Sequence, residues 1–346
     1  MPVRLSWIER EKYFIYTDHR IHNEVEIHML YLITGGAGFI GSNIAAALLQ
    51  RGDSVRVLDN FSTGKRQNLL LCAADSPKSG SLEVLEGDIR NIETCRQACR
   101  GADYVVHHAA LISVFQSVQD PLLANETNIT GTLNMLASAR ESGIKRFVLA
   151  SSSAVYGDSG DSAAPKTETM KPAPMSPYAV NKLTGEEYCR IFYELYGLET
   201  VALRYFNVFG PKQDPASEYA AVIPKFIDAL MAGKPPLIYG DGKQSRDFIY
   251  VEDVVRANLL ACSAQKAAGK TFNIACGRQV SINELLDEIK VILHTTLAAV
   301  YKEARPGDIL HSVADTSLAG RLLGFEPIHS FRDALSKTIT WYGNEK

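Results

Sequence analysis

A doubly wound α/β domain, followed by a smaller and irregular α+β domain, is the fold class this sequence predicts. Two observations carry it. From Leu32 onward short apolar, β-rich runs alternate with helical patterns, and the first run leads straight into a glycine-rich turn. Near-continuous apolar strands separated by helices belong to parallel sheets covered on both faces, which take ligands beyond the carboxyl ends of their strands. At roughly 150 residues per domain, a chain of 346 residues accommodates about two domains.

The strand-like runs are Tyr31–Thr34, Val55–Leu58, Leu82–Leu85, Tyr104–His107, Phe147–Ala150 and Thr200–Arg204, with helical patterns at Ile40–Gln50, Thr127–Glu141 and Tyr178–Tyr196 between them. After about Asn207 the pattern loosens into Pro, Gly and polar clusters, with a further helical pattern at Ile282–Leu293. Phe248–Ala261 reads as strand then helix and can return to the first sheet. The expected organisation is an extension over 1–28, a dinucleotide-binding domain over 29–207 with a return of about 247–266, and a substrate domain over the remainder of 208–346. The extension is charged throughout and lacks the apolar stretch of a signal peptide. It reads as a peripheral segment or a mis-set start, with Met29 as a second start, or else as a helix packed on the domain.

Composition excludes several classes. With 46% hydrophobic and 22% charged residues the chain is an ordinary soluble type, and a net charge of −3 gives no electrostatic footprint for nucleic acid or an anionic membrane. No run of about 18 apolar residues suggests a membrane span. The six cysteines form no C-x-x-C pair; Cys95 and Cys99 fall on one helix face without a histidine cluster, so reduced thiols in a cytoplasmic setting are expected, and no metal site.

Thr34–Gly41 reads T-G-G-A-G-F-I-G, a G-x-x-G-x-x-G turn built on Gly35, Gly38 and Gly41. Glycines permit the tight turn and the close approach of backbone to a pyrophosphate, and the helix starting near Phe39 points its N-terminal dipole at the phosphates. Asp59, eighteen residues after Gly41, ends the second strand, where a carboxylate accepts from both ribose hydroxyls and repels a 2′-phosphate. That favours NAD over NADP, although Lys65 and Arg66 lie nearby. Asp88 and Ile89 end the third strand and either bracket the adenine or form a simple strand-to-helix cap. The small residues Ala109 and Ala110 end the fourth and leave room for the ribose and nicotinamide.

Tyr178 and Lys182 form Y-x-x-x-K at the start of a helix signalled by Ser176-Pro177. The spacing puts both on one helix face. An ammonium about 4 Å from a phenolate stabilises it by roughly 4 kcal/mol at an effective dielectric near 20, which is up to about three pKa units. The expectation is therefore a phenol made acidic by its neighbour. One strand earlier, Ser151-Ser152-Ser153 ends the fifth strand, where a hydroxyl can hydrogen-bond a reacting oxygen and relay its proton to Tyr178.

Together these residues resemble the extended short-chain dehydrogenase/reductase family, with its Rossmann domain, and specifically its nucleotide-sugar epimerases. The matching pieces include TGGAGFIGS (34–42), DNFSTG (59–64), GDI (87–89), HHAAL (107–111), SSSAVYGD (151–158), SPYAVNK (176–182), RYFNVFGP (204–211), GDGKQSRDFIYVEDV (240–254) and RPGD (305–308). The resemblance implies tightly bound, reused NAD. Phe39, Ile40, Asn60, Ser62, Gly64 and Tyr205 would join the glycines, Asp59, Asp88, Ile89, Ala109 and Ala110 around it. It implies Tyr178 as base, Lys182 as electrostatic partner and ribose anchor, and Ser152 as relay with Ser153 alongside. Asn207, Val222, Tyr239, Gln244, Arg246, Arg305 and Asp308 would hold a UDP group; two arginines suit a pyrophosphate, though either alone reads as a surface charge. The family's dehydratases and decarboxylases carry a carboxylate where this chain has Ser153 and Ala154, which leaves C4 epimerisation of a UDP-hexose. Ser312 and Ser113 match the branch that accepts N-acetylated sugars, whereas Gln116 departs from it. The resemblance thus implies UDP-GlcNAc/UDP-GalNAc interconversion with UDP-Glc/UDP-Gal second, and a homodimer through a helix bundle on the Tyr178 helix. UDP-glucuronate epimerisation and a non-catalytic NAD-binding regulator are the alternatives.

Overall fold

The computed structural model describes residues 29–74, 80–158, 164–214, 222–304 and 309–344; the 1–28 segment, Arg305 and Asp308 lie outside them. Among the strands, six come first in the chain: β1 (Leu30–Thr34), β2 (Ser54–Asp59), β3 (Leu82–Glu86), β4 (Tyr104–His107), β5 (Arg146–Ser152) and β6 (Thr200–Tyr205). Short strands follow as β7 (Asn207–Phe209), β8 (Leu237–Tyr239), β9 (Ser245–Arg246) and β10 (Phe248–Tyr250), then β11 (Lys270–Ile274), β12 (Val280–Ser281) and β13 (Val300–Lys302).

Seven strands form one parallel sheet in the order β11-β6-β5-β4-β1-β2-β3. Successive side chains go to opposite faces. Ile33, Val57, Val106, Val148, Leu203 and Phe272 enter a core with Ile44 and Leu48 of helix Phe39–Arg51 and Val254 and Ala261 of helix Val251–Ser263. Leu32, Leu58, Val105, Phe147 and Leu149 enter the opposite core with Cys95 of helix Ile92–Cys99, Leu136 of helix Gly131–Glu141 and Phe192 of helix Pro177–Tyr196. The chain winds outward through β1, β2 and β3, then crosses to β4 on the other side of β1. The carboxyl ends of β1 and β4 therefore flank the crevice where such sheets bind ligands. A separate apolar core, with Phe209, Phe226, Ile238, Phe248, Leu285 and Leu335, lies beneath the short strands.

The sequence reading differs from this arrangement in one region. The helix at Val251–Ser263 does return to the large sheet, but β10 does not; it pairs with β7 in a two-stranded ribbon. The returning strand is β11, beyond the expected limit of 266. None of the described helices is long and apolar enough to cross a membrane.

Candidate active site

The glycine turn occupies the crevice. Gly35 sits at φ 67°, and a Cβ there would lie 2.7 Å from the Ala109 amide nitrogen, so the turn presses directly on the end of β4. A Cβ on Gly41 would lie 2.4 Å from the Gly35 carbonyl oxygen, so the turn and helix Phe39–Arg51 also close tightly on one another. The helix N-cap, Gly38, offers no side-chain acceptor, and the first turn has no acidic residue. Its N-terminal amides and dipole are thus left for an anion. Asp59 is buried at the end of β2, where its carboxylate accepts from the Ala37 and Phe61 amides at 2.9 and 2.8 Å. A Cβ on Gly64 would meet the same carboxylate at 2.9 Å. This donor set and cradle fit a dinucleotide.

Other sequence-expected cofactor residues take varied places. Asp88 is bound by Arg90 and by Asn60 at 3.0 Å, and those hydrogen bonds hold its carboxyl down at about 2. The Ser62 amide donates to the Asn60 side chain at 3.1 Å, which ties the DNFSTG turn together. Ile40 packs at the boundary of two cores, and Phe39 against the third. Ile89 is buried beneath Gly131. Tyr205 is buried, with its hydroxyl donating to Asn258 at 2.9 Å and its ring stacked on His108. It braces the end of β6.

Between these elements, Thr34, His107 and Thr132 form a buried chain with contacts of 2.7 and 3.0 Å. Thr132 donates to the Asn128 carbonyl, so His107 Nε2 is the donor to Thr132 and Nδ1 accepts from Thr34. Burial pushes His107 down to about 3 and His108 to about 4, so both are neutral.

Helix Pro177–Tyr196 starts as its sequence dictates, with Ser176 accepting from the Ala179 amide at 3.2 Å and Pro177 in the first turn. The Tyr178 amide donates to Ser117 at 3.1 Å, fixing the first turn from a neighbouring helix. The Ser152 side chain lies close enough to the Tyr178 phenol to act on it, which brings the expected base and relay together. Ser153 opens the short helical turn that follows β5, and Ser151 is spent on Glu186. The expected acidification of Tyr178 is not found in this state. Lys182 donates to the Ala150 carbonyl at 2.7 Å and sits 5.8 Å from the Tyr178 ring centre. Burial pushes the phenol up, opposed by the Ser152 side chain, and pushes Lys182 down to about 8, opposed by Glu186. Removing both groups from water outweighs the Coulomb gain on which the sequence argument relied.

Tyr178 faces a cleft of about 530 Å³ whose lining includes Asn207, Val222, Tyr239, Gln244 and Arg246, all expected from sequence. Ser113 and Ser312 are not in that lining. The Ser113 hydroxyl caps helix Val114–Gln119 by accepting from the Gln116 amide, and the Ser312 amide donates to Ser245 at 3.2 Å. Beneath Arg246, Asp247 is fully buried, and its carboxylate accepts from the amides of Cys276, Gly277 and Ala314 at 2.9, 2.9 and 3.2 Å. Its own carbonyl takes the Asn207 amide at 3.0 Å.

Sequence reasoning missed the apolar walls, among them Ile112, Phe226 and Phe248. It also missed Asn128, which accepts from the Leu111 amide at 2.7 Å and donates to the Leu111 carbonyl at 3.0 Å from a π-helical turn, Glu126–Thr130. An asparagine inside a helical pattern was the available signal.

The family described as NAD dependent epimerase/dehydratase matches residues 31–275. A UDP-glucose 4-epimerase of Mycolicibacterium smegmatis is 34% identical over 319 residues, 92% of this chain and 99% of its own. The structure of UDP-N-acetylglucosamine 4-epimerase from Methanobrevibacter ruminantium in complex with UDP-N-acetylmuramic acid is 40% identical, with a TM-score of 0.86 over 92% of this chain and 99% of that one. That of the Thermus thermophilus UDP-glucose 4-epimerase in complex with NAD is 36% identical, with a TM-score of 0.82 over 92% and 100%.

Proposed function

The chain belongs to the NAD-dependent epimerase/dehydratase family, and we propose that its substrate pair is UDP-GlcNAc and UDP-GalNAc, with UDP-Glc and UDP-Gal as a second pair. It is an NAD-dependent UDP-sugar 4-epimerase. The observation that carries the reading is the shared cavity: Tyr178, with Ser152 beside it, faces the same cleft as Asn207, Val222, Tyr239, Gln244 and Arg246. Its volume falls within the roughly 300–1,000 Å³ of small-molecule sites.

The glycine turn, the helix N-terminus and Asp59 would hold NAD, which when bound would supply a reversible hydride acceptor for C4 of the sugar. Tyr178 takes the proton of the 4-hydroxyl and returns it after the sugar turns its other face, with Ser152 relaying. Lys182 supplies the positive charge that stabilises the phenolate as the phenol loses its proton. Neither Ser153 nor Ala154 offers a carboxylate to drive elimination from the 4-keto sugar, which favours return of the hydride. The N-acetylated pair is favoured by the resemblance at Ser113 and Ser312, neither of which lines the cleft, and turnover of a UDP-sugar panel decides it. A homodimer through helix Pro177–Tyr196 and the two short helices packed beside it fits the exposed Val180, Val118 and Leu122, and sedimentation tests it.

Purified protein, with no cofactor added, is expected to interconvert UDP-GlcNAc and UDP-GalNAc by NMR, and Tyr178→Phe to abolish turnover while keeping NAD bound. Unchanged turnover in that variant would overturn the assigned base. Turnover of UDP-glucuronate with the hexoses inert would replace the substrate pair.

A further inference from the structure

Tyr178, Lys182 and Glu186 follow one another at intervals of four along helix Pro177–Tyr196, so they share one face. Glu186 does not line the cleft and is only 6% exposed. Its carboxylate is gripped by Arg204 of β6, with Nε at 2.9 Å and Nη2 at 2.7 Å, and by the Ser151 hydroxyl. Ser151 lies between Ala150, whose carbonyl receives Lys182, and Ser152, which meets Tyr178. One buried anion thus fixes the end of β5 from which both contacts to the acid/base pair are made.

We propose that Glu186 is a positioning residue: its carboxylate locks the end of β5 against the helix that carries Tyr178 and Lys182 and sets a buried negative charge one helical turn from Lys182. The groups facing Lys182 leave this task to Glu186. From β4 come His107 and His108, both neutral. From β5 come the Ala150 carbonyl and the Ser152 hydroxyl, and from its own helix the Tyr178 phenol. From β6 comes Arg204, a cation, committed to Glu186 and lying 4.8 Å over the Tyr156 ring. Among the described residues, Glu186 is the carboxylate that acts on Lys182 in favour of its charged form. Without it, burial acts on the lysine unopposed.

The inference rests on Tyr178 and Lys182 being the acid/base pair. It is tested on NAD-loaded enzyme by the pH profile of kcat/KM for UDP-sugar epimerisation in wild type, E186Q and E186Q/R204M. A carboxylate one helical turn away favours the charged form of an ammonium, by about one unit when both are buried. E186Q should therefore move the alkaline limb down by about one pH unit, with KM and bound NAD unchanged. The double variant removes both charges and leaves no orphaned guanidinium, so its limb should stay displaced as in E186Q, because the carboxylate is still missing. The Lys182 13Cε resonance, identified by its loss in K182R, should titrate in step and reads the lysine without turnover. If E186Q does not fold, the double variant and the lysine titration carry the test. A limb and a lysine titration unmoved in E186Q, or displaced in E186Q but restored in the double variant, would overturn the proposal. Failure of the underlying assignment is distinguishable, because Tyr178→Phe would then retain turnover.

Discussion

Gly41→Ala is the sharpest probe of the dinucleotide cradle. The new Cβ would stand 2.4 Å from the Gly35 carbonyl oxygen and 2.8 Å from the Gly36 Cα. Both are backbone atoms of the turn itself, so no side chain can swing away. Ordinary contact begins near 3.4 Å, and helix Phe39–Arg51 must retreat by about 1 Å. Overpacking of this kind costs about 1–3 kcal/mol, and the better helix propensity of alanine returns about 1 kcal/mol. The net loss of stability is roughly 1 kcal/mol, a fall of a few degrees in Tm. The cofactor should suffer more. Losing a single charge-assisted hydrogen bond from the helix amides is worth about 1.5–3 kcal/mol, which is a tenfold or greater weakening of NAD binding. The assay is NAD content after gel filtration, beside calorimetric Tm. Gly320→Ala is the matched control, since its Cβ meets only the Phe325 carbonyl at 3.7 Å within helix Ser317–Leu323; it should be neutral or stabilising by up to about 1 kcal/mol. A Gly41→Ala protein with wild-type NAD content and Tm would refute the argument that backbone approach makes this cradle.

Three further outcomes are expected. Asp59→Ala removes the acceptor for the Ala37 and Phe61 amides and should release NAD during purification, read by absorbance of the released nucleotide. Asn128→Ala leaves the Leu111 amide and carbonyl without their partner, and should cost about 1–3 kcal/mol by denaturant unfolding. His107 holds a folded-state value of about 3 against an ordinary 6.5. The unfolded chain therefore takes up that proton first, and His107 withdraws stability as pH falls from about 6.5 towards about 3. Tm measured from pH 7.5 to 5 should fall more steeply in wild type than in His107→Gln; parallel curves would contradict this.

Much of the fold and part of the candidate site could be read from residues alone, because their causes are local. Six strands of the large sheet are apolar runs bounded by turn residues, and helix Pro177–Tyr196 declares itself through Ser176-Pro177 and Gly197. The glycine turn and Y-x-x-x-K are likewise patterns of neighbouring residues. What escaped depends on distant partners. Strand β11 is only KTFNI, and its Asn273 reads as polar; it is buried because its side chain donates to the Lys166 and Asp315 carbonyls, far away in the chain. Strand β10 looks like a sheet strand until its partner is seen to be β7. The Tyr178–Lys182 electrostatics failed for the same reason, since spacing along a helix does not report how deeply both groups are buried.

The Asp247 carboxylate gathers amides from two separate stretches of chain while the same residue's carbonyl receives Asn207, and its neighbour Arg246 faces the cleft. The wall that meets the ligand thus hangs from one hidden peg. Side chains along that wall can be exchanged one at a time without disturbing the frame that presents them. A lineage can then drift from one sugar to another while the scaffold is conserved, whereas a change at the peg itself would blur recognition of every ligand at once.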